Sequence, residues 1–263
     1  MAHLFLILIL FLYGQPLFAN NCCGQSPASY PVLSQAQILS ISTGISYLRS
    51  YGRYGHFGSS QEGLRVWDNK NREISTLTFS TAGNLAERHQ VFLNTGILQG
   101  HYSDSSEEDS STHFADTLVG YSFEVLPEYS FSYWKPLVFL TGFLNIPTGH
   151  STYEMSLSEG TDVTGHDQWG AGFGVTVKKV LFPLTLTMQA RSIKLFSKSF
   201  GNIQVSNFYD SSLAFLLNYS SRLWGLQWTG GVTFSHLSER TSQTGFGAPL
   251  DTSEITQNFT VLA

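Results

Sequence analysis

The stretch WGAGFGVTVKKVLFPLTLTMQAR, residues 169–191, alternates two kinds of side chain on both sides of a short break. Trp169, Ala171, Phe173, Val175 and Val177 fall on one face of the first half, and the positions between them are glycine or threonine. After the break, leucine and methionine alternate with threonine, glutamine and arginine. Because successive side chains of a strand point to opposite faces, the pattern predicts two strands that are apolar on one side and polar on the other.

The same alternation recurs in other segments of the chain, and a helical period of 3.6 fits none of them. Ten segments are predicted as strands: residues 36–49, 72–84, 89–102, 114–126, 131–145, 167–179, 182–196, 207–219, 223–237 and 252–263. Long connections, such as SERTSQTGFGAPLD, alternate with short ones, such as VLFP. Short turns at one end and long loops at the other are typical of outer-membrane barrels. The sequence therefore predicts an all-β, antiparallel transmembrane β-barrel of the outer-membrane type with about 10–12 strands.

Residues 1–23, MAHLFLILILFLYGQPLFANNCC, begin with an apolar run that is too short to span a membrane as a helix. This run and the small residue Ala19 predict a cleaved signal peptide over residues 1–19. We expect a periplasmic N-terminal tail over residues 20–35, followed by a barrel over residues 36–263. Cys22 and Cys23 could bind a metal, form a vicinal disulfide or mark a lipoprotein start, but a plain flexible tail is the favoured interpretation. Outer-membrane barrels of this kind usually end in a strand that closes with an aromatic residue. Here Phe259 precedes the C-terminus by four residues, so we expect either a barrel truncated there or an unusual closure.

Composition limits the partners. The net charge is −5, only 13% of the 263 residues are charged, and no cluster of lysine and arginine occurs. A nucleic-acid partner is therefore not expected, since such proteins carry a basic patch. The eight histidines lack zinc-binding spacing, so neither a metal nor a cofactor is expected.

Two segments, FADTLVGYSFEV and LVFLTGFLNIPTGHS, resemble an outer-membrane transporter family linked to the meta-pathway of phenol degradation. In that family an aspartate opens a strand of the form D-x-x-x-G-Y, and a later strand ends in P-T-G. The matching positions are Asp116, Gly120, Tyr121, Pro147, Thr148 and Gly149. The resemblance covers roughly residues 114–263. It implies a barrel of transporter type and little about its cargo.

Polar side chains on the inward faces are the candidates for contact with a solute. They are Asp116, Glu124, Lys178, Gln189, Arg191 and Asp210. Opposite charges in a narrow interior either form a polar path or pair with each other and close it. The sequence thus predicts a channel or transporter for small molecules of unknown identity, held in outer-membrane lipid. The alternative is a structural or surface-interaction barrel with a plugged lumen.

A third interpretation is an outer-membrane lipid hydrolase, which needs a serine and a histidine in contact. His150 with Ser151, and His236 with Ser235 or Ser238, are the candidate pairs, but the sequence identifies no acid to orient either histidine. We therefore expect no enzymatic activity.

Overall fold

The computed structural model describes residues 30–33, 37–50, 53–54, 65–66, 71–103, 108–127, 132–157, 160–220, 227–238, 240–244, 249–253 and 256–262. The predicted signal peptide, Cys22 and Cys23 lie outside the described residues. The strands are β1 (Leu39–Ser50), β2 (Arg53–Tyr54), β3 (Arg65–Val66), β4 (Asn71–Ala86), β5 (His89–Ser103), β6 (Glu108–Phe114), β7 (Thr117–Leu126), β8 (Leu137–Ile146), β9 (Gly170–Leu181), β10 (Leu184–Leu195), β11 (Lys198–Phe200), β12 (Ile203–Val205), β13 (Phe208–Ser220), β14 (Gln227–Leu237), β15 (Arg240–Thr244), β16 (Pro249–Ser253) and β17 (Thr256–Leu262). A short 3₁₀ helix covers Thr152–Glu154.

The main sheet is an antiparallel meander that curls into a half-barrel. Its strand order is β1-β4-β5-β7-β8-β9-β10-β13-β14-β17, and β6 pairs with the end of β5. These ten path strands correspond one by one to the ten predicted segments, which confirms the all-β antiparallel prediction. Among the described residues β1 pairs only with β4 and β17 only with β14, so the ladder is open between these two edges.

Because each strand pairs with the next path strand along the chain, all long connections meet at one end of the sheet and all short ones at the other. At the short end, Phe182 and Pro183 alone connect β9 to β10. At the long end, the connections contain secondary structure of their own. The segment DSSEEDSSTH, residues 104–113, lies between two predicted strands and contains most of β6. The hairpins β11–β12 and β15–β16 combine into a separate four-stranded sheet, an association that the local sequence does not specify.

One face of the sheet is apolar and exposed. Phe173 in β9 is 72% exposed, and Leu186 in β10 is 48% exposed. Further large apolar side chains on the same face of the path strands include Leu39, Ile41, Ile45, Leu77, Phe79, Tyr121, Leu140, Leu144, Met188, Phe215, Leu217 and Phe234. They follow the two-residue period of the strands, so the outer face of the curled sheet is a broad apolar surface.

The inner face is mixed rather than polar throughout. It buries polar residues such as Asn94, Ser122 and Thr176. It also contains a compact apolar cluster whose members are Tyr30, Leu33, Ala82, Phe92, Leu118, Phe143 and Ile193. Two members of this cluster come from residues 30–33, which the sequence analysis assigned to a tail. The half-barrel therefore has a packed interior at this level.

Candidate functional site

The interior is occupied near its middle by residues 30–33, which we call the plug segment. The backbone of Tyr30 is hydrogen-bonded to the side chain of Gln189 on β10, and the backbone of Leu33 to the side chain of Gln90 on β5. The Tyr30 hydroxyl accepts a hydrogen bond from Thr176 Oγ1 on β9 at 2.9 Å. The plug segment thus connects strands that are well separated in the order of the sheet.

Arg191 and Asp210, two of the predicted inward-facing residues, form an ion pair. Arg191 Nη2 lies 3.3 Å from Asp210 Oδ2, between the neighbouring strands β10 and β13. The side chain of Arg191 is only 2% exposed and that of Asp210 is 17% exposed. A charge that is so buried requires a partner. The sequence left open whether these charges line a path or pair with each other, and the structure shows the pair.

Asp116 fixes the connection between β8 and β9 to the start of β7. Its Oδ1 accepts a hydrogen bond from Gly149 N at 3.0 Å, and its Oδ2 accepts one from His166 N at 2.7 Å. A β-carbon on Gly149 would lie 2.9 Å from Asp116 Oδ1, so the close approach requires glycine here. Thr148 Oγ1 donates to the carbonyl of Ala115 at 2.6 Å. Three of the family-motif positions, Asp116, Thr148 and Gly149, therefore meet in space in a structural contact.

The connection from β8 to β9 returns over the inner face at the long-loop end. Its residues 160–168, which we call the cover loop, are mostly buried. The Gly160 carbonyl accepts a hydrogen bond from Arg72 on β4, and the Thr161 carbonyl accepts one from Ser111 on β6. At the other side, the His166 ring packs edge-on against Phe208 on β13 at 5.2 Å. The cover loop therefore reaches across the sheet from β4 to β13.

Hydrogen bonds to Asp162 hold the start of the cover loop. Burial on its own would raise the pKa of Asp162, but Ser156 N and Ser156 Oγ donate hydrogen bonds to its Oδ2, and His150 lies nearby. These contacts outweigh burial, so the pKa of Asp162 lies below its usual value. Since the charged form is the one that accepts these bonds, the arrangement favours an ionised carboxylate.

His150 has an acidic neighbour, but its contacts are not those of a serine hydrolase. Its Nε2 lies 3.7 Å from Asp162 Oδ2 and 2.9 Å from the Glu154 carbonyl. The hydroxyl of Ser151 accepts a hydrogen bond from Tyr153 N and caps the 3₁₀ helix. Catalysis would need the imidazole next to the nucleophile, whereas here Asp162 lies between His150 and the hydroxyl of Ser156.

The remaining predicted residues lie apart from one another. Glu124 is buried at the short-turn end of β7, and Lys178 is half-buried towards the same end of β9. Gly120 lies beneath the ring of Phe92, and a β-carbon there would lie 2.1 Å from that ring. Tyr121 is exposed on the outer face, where its hydroxyl contacts His89. Pro147 directly follows β8 and precedes the two motif residues that contact β7.

Sequence reasoning missed Tyr30, Gln90 and Phe92. Gln90 and Phe92 lie on the polar–apolar mixed face of β5, where alternation is uneven and gives no reason to single them out. Tyr30 belongs to a segment without strand periodicity. The available signal was Pro31, which indicates an extended backbone but not its location.

The described residues contain no group of three or more histidine, cysteine, aspartate or glutamate side chains arranged to hold a metal ion. Across the same residues, none of the helical structure is long and apolar enough to cross a membrane. No protein-family model matches the chain, and no curated protein is similar to it. The resemblance to the transporter family therefore depends on the short motifs around Asp116 and Gly149 alone.

Proposed function

We propose that this chain is an outer-membrane β-barrel that admits small solutes through an interior which the plug segment and the cover loop occupy in the described conformation. The observation that carries the proposal is the exposed apolar face of the curled sheet. Water-soluble monomers rarely expose apolar patches larger than a few hundred Å². Bilayer hydrocarbon is the environment in which such a face, spread over several neighbouring strands, is stable.

The proposal includes export and closure. An N-terminal signal peptide would direct the chain across the inner membrane. In lipid, backbone groups left without a partner along β1 and β17 would each cost several kcal/mol, so we propose that these two edges pair and complete the barrel. The end with long connections would face the cell exterior, as in other outer-membrane barrels.

The contents of the interior support slow and selective entry rather than bulk diffusion. The plug segment lies near the middle, and the cover loop lies across the long-loop end. The pairing of Arg191 with Asp210 neutralises two charges that an open path would present to ions. Solute entry would therefore require displacement of these segments. The resemblance to a transporter family agrees with this proposal but does not identify a cargo.

The plug segment and the cover loop in the interior also favour a second candidate function. A barrel with a filled interior would present its long connections, including the sheet β11-β12-β15-β16, to an external partner. We propose no enzymatic activity and no nucleic-acid partner for either candidate.

Two measurements test the proposal. Cell fractionation should recover the mature chain in the outer membrane, and the purified chain should migrate faster on a detergent gel before boiling than after. Recovery as a soluble periplasmic protein would contradict the barrel. Planar-bilayer recordings then separate the two candidates. Small, infrequent openings support solute entry, whereas a folded barrel that never conducts supports the filled interior.

A further inference from the structure

Two glutamine side chains hold the plug segment by its backbone. Leu33 N donates to Gln90 Oε1 at 2.9 Å, and Gln90 Nε2 donates to the Leu33 carbonyl at 3.1 Å. Tyr30 N donates to Gln189 Oε1 at 3.3 Å, and Gln189 Nε2 donates to the Tyr30 carbonyl at 2.8 Å. Each glutamine thus uses both atoms of its amide on the N–H and C=O of a single residue.

The three-residue separation of Tyr30 and Leu33 matches an extended peptide. The N–H and C=O of one residue in an extended chain point to the same side, and an odd number of steps along the chain reverses that side. Tyr30 and Leu33 are three residues apart, so their backbone groups point in opposite directions, towards β10 and β5. Pro31 keeps the residue before it extended and has no N–H of its own to satisfy. The two amides therefore recognise backbone geometry, whatever the side chains are.

The tyrosine ring occupies a slot formed by aromatic side chains. Its centroid lies 5.6 Å from that of Phe92 in a stacked arrangement and 4.9 Å from that of Phe143 in an edge-on arrangement. Gly120 leaves the space that the Phe92 ring fills. Both amides that hold the segment and both aromatic rings belong to barrel strands, so the site does not depend on the cover loop.

We propose that Gln90 and Gln189 form a peptide clamp whose ligand class is an extended peptide with an aromatic side chain. The described residues show this clamp filled by the chain's own plug segment. All of its contacts are non-covalent, so the segment can leave without disturbing the pairing of the strands. Water can replace the hydrogen bonds, whereas the apolar packing of Tyr30 and Leu33 opposes release. Its release opens the interior to solute, a step that rests on the proposed function.

The test measures release of the plug segment directly. Val32 packs beside the apolar cluster, so Val32→Cys reports on the segment through its reaction with a water-soluble maleimide. Cys22→Ser and Cys23→Ser are included in every sample so that only position 32 reacts. The double change Gln90→Ala with Gln189→Ala removes the four hydrogen bonds to the plug segment, and we expect the labelling rate of the folded protein to rise by about tenfold or more. Gln204→Ala, on the exposed side of β12, is the matched control and should leave the rate unchanged.

A second variant guards against loss of folding. Tyr30→Ala changes the segment and leaves every barrel strand intact, and it should also speed labelling because it empties the aromatic slot. Circular dichroism should show an unchanged β-sheet signal in each sample. Equal labelling rates in the reference protein and in these folded variants would overturn the clamp. Faster labelling with no rise in bilayer conductance would leave the clamp in place and overturn the gating role together with solute entry.

Discussion

Adjacent residues of β10 differ sharply in environment. Met188 is 43% exposed on the outer face, whereas Gln189 is 3% exposed and is bonded to the plug segment. A strand turns each successive side chain to the other face, so one step along the sequence changes the surrounding medium. Residue-scale substitutions can therefore test the assignment of the faces.

A charge on the outer face should impair assembly. Met188→Arg places a guanidinium among exposed apolar side chains, where the proposed lipid environment imposes a cost of about 2–4 kcal/mol near mid-bilayer. Thr187→Arg adds the same group to the inner face, opposite Lys178 on β9, and should cost less despite the like charge. The measurement is the yield of heat-modifiable, folded protein. Equal losses for both variants would mean that the faces are assigned wrongly.

The effects of substituting Arg191 and Asp210 on the free energy of unfolding should be strongly coupled, because the two side chains form an ion pair. Arg191→Gln leaves the carboxylate without this partner, and Asp210→Asn leaves a cation that is almost fully buried. Removal of one partner of a buried pair costs about 3–5 kcal/mol, and we expect values near the lower limit because Asp210 retains some solvent contact. The loss of unfolding free energy in the double variant should be much smaller than the sum of the losses in the two single variants. Additive losses in urea unfolding would show that the pair contributes no coupling.

At the scale of elements, the connections at the long-loop end are held by side chains that accept backbone hydrogen bonds. Asp116 fixes the residues after β8 to the start of β7, and Asp162 holds the turn that leads into the cover loop. The Asp162 carboxylate acts only as an acceptor while it is ionised. The stability of the turn that it holds should therefore depend on pH.

The contribution of Asp162 should be lost in acid. Its folded pKa lies below the unfolded value of about 3.9, so the stabilisation is complete above that value and disappears as the pH falls through the folded pKa. Asp162→Asn should lower the melting temperature at neutral pH and change it little near pH 2. Melting curves of both proteins at the two pH values provide the measurement. A melting-temperature difference of the same size at both would contradict the assignment.

The whole molecule combines an apolar exterior with an interior that is filled at two levels. The plug segment and the cover loop are supplied by parts of the chain that lie far apart in sequence, and both contact strands on several sides of the half-barrel. The charges of Arg191 and Asp210 lie on the same inner face. If solute passes along that face, removal of either charge should alter ion preference.

Ion selectivity provides the test at this scale. Arg191→Gln leaves a net negative group on the inner face and should shift the reversal potential towards cation preference, and Asp210→Asn should shift it the other way. Both are measured in planar bilayers across a salt gradient, with the reference protein as the baseline. Unchanged potentials in conducting variants would place this pair outside the solute path.

The sequence by itself determined the ten path strands of the main sheet, their order and the faces that they present. Alternation at a period of two is a local property, and short turns force neighbouring strands to pair, so the meander follows from residues close together in the chain. It also indicated Arg191, Asp210, Asp116 and Gly149 as candidate site residues.

Only the tertiary structure decided how these residues meet. The ion pair and the contact of Asp116 with Gly149 join neighbouring strands and depend on strand register and side-chain conformation. The clamp on residues 30–33 joins β5 to β10, whose separation in space depends on the curl of the sheet. Periodicity contains no information about such distances, because it fixes the side of a strand and not what lies across the interior.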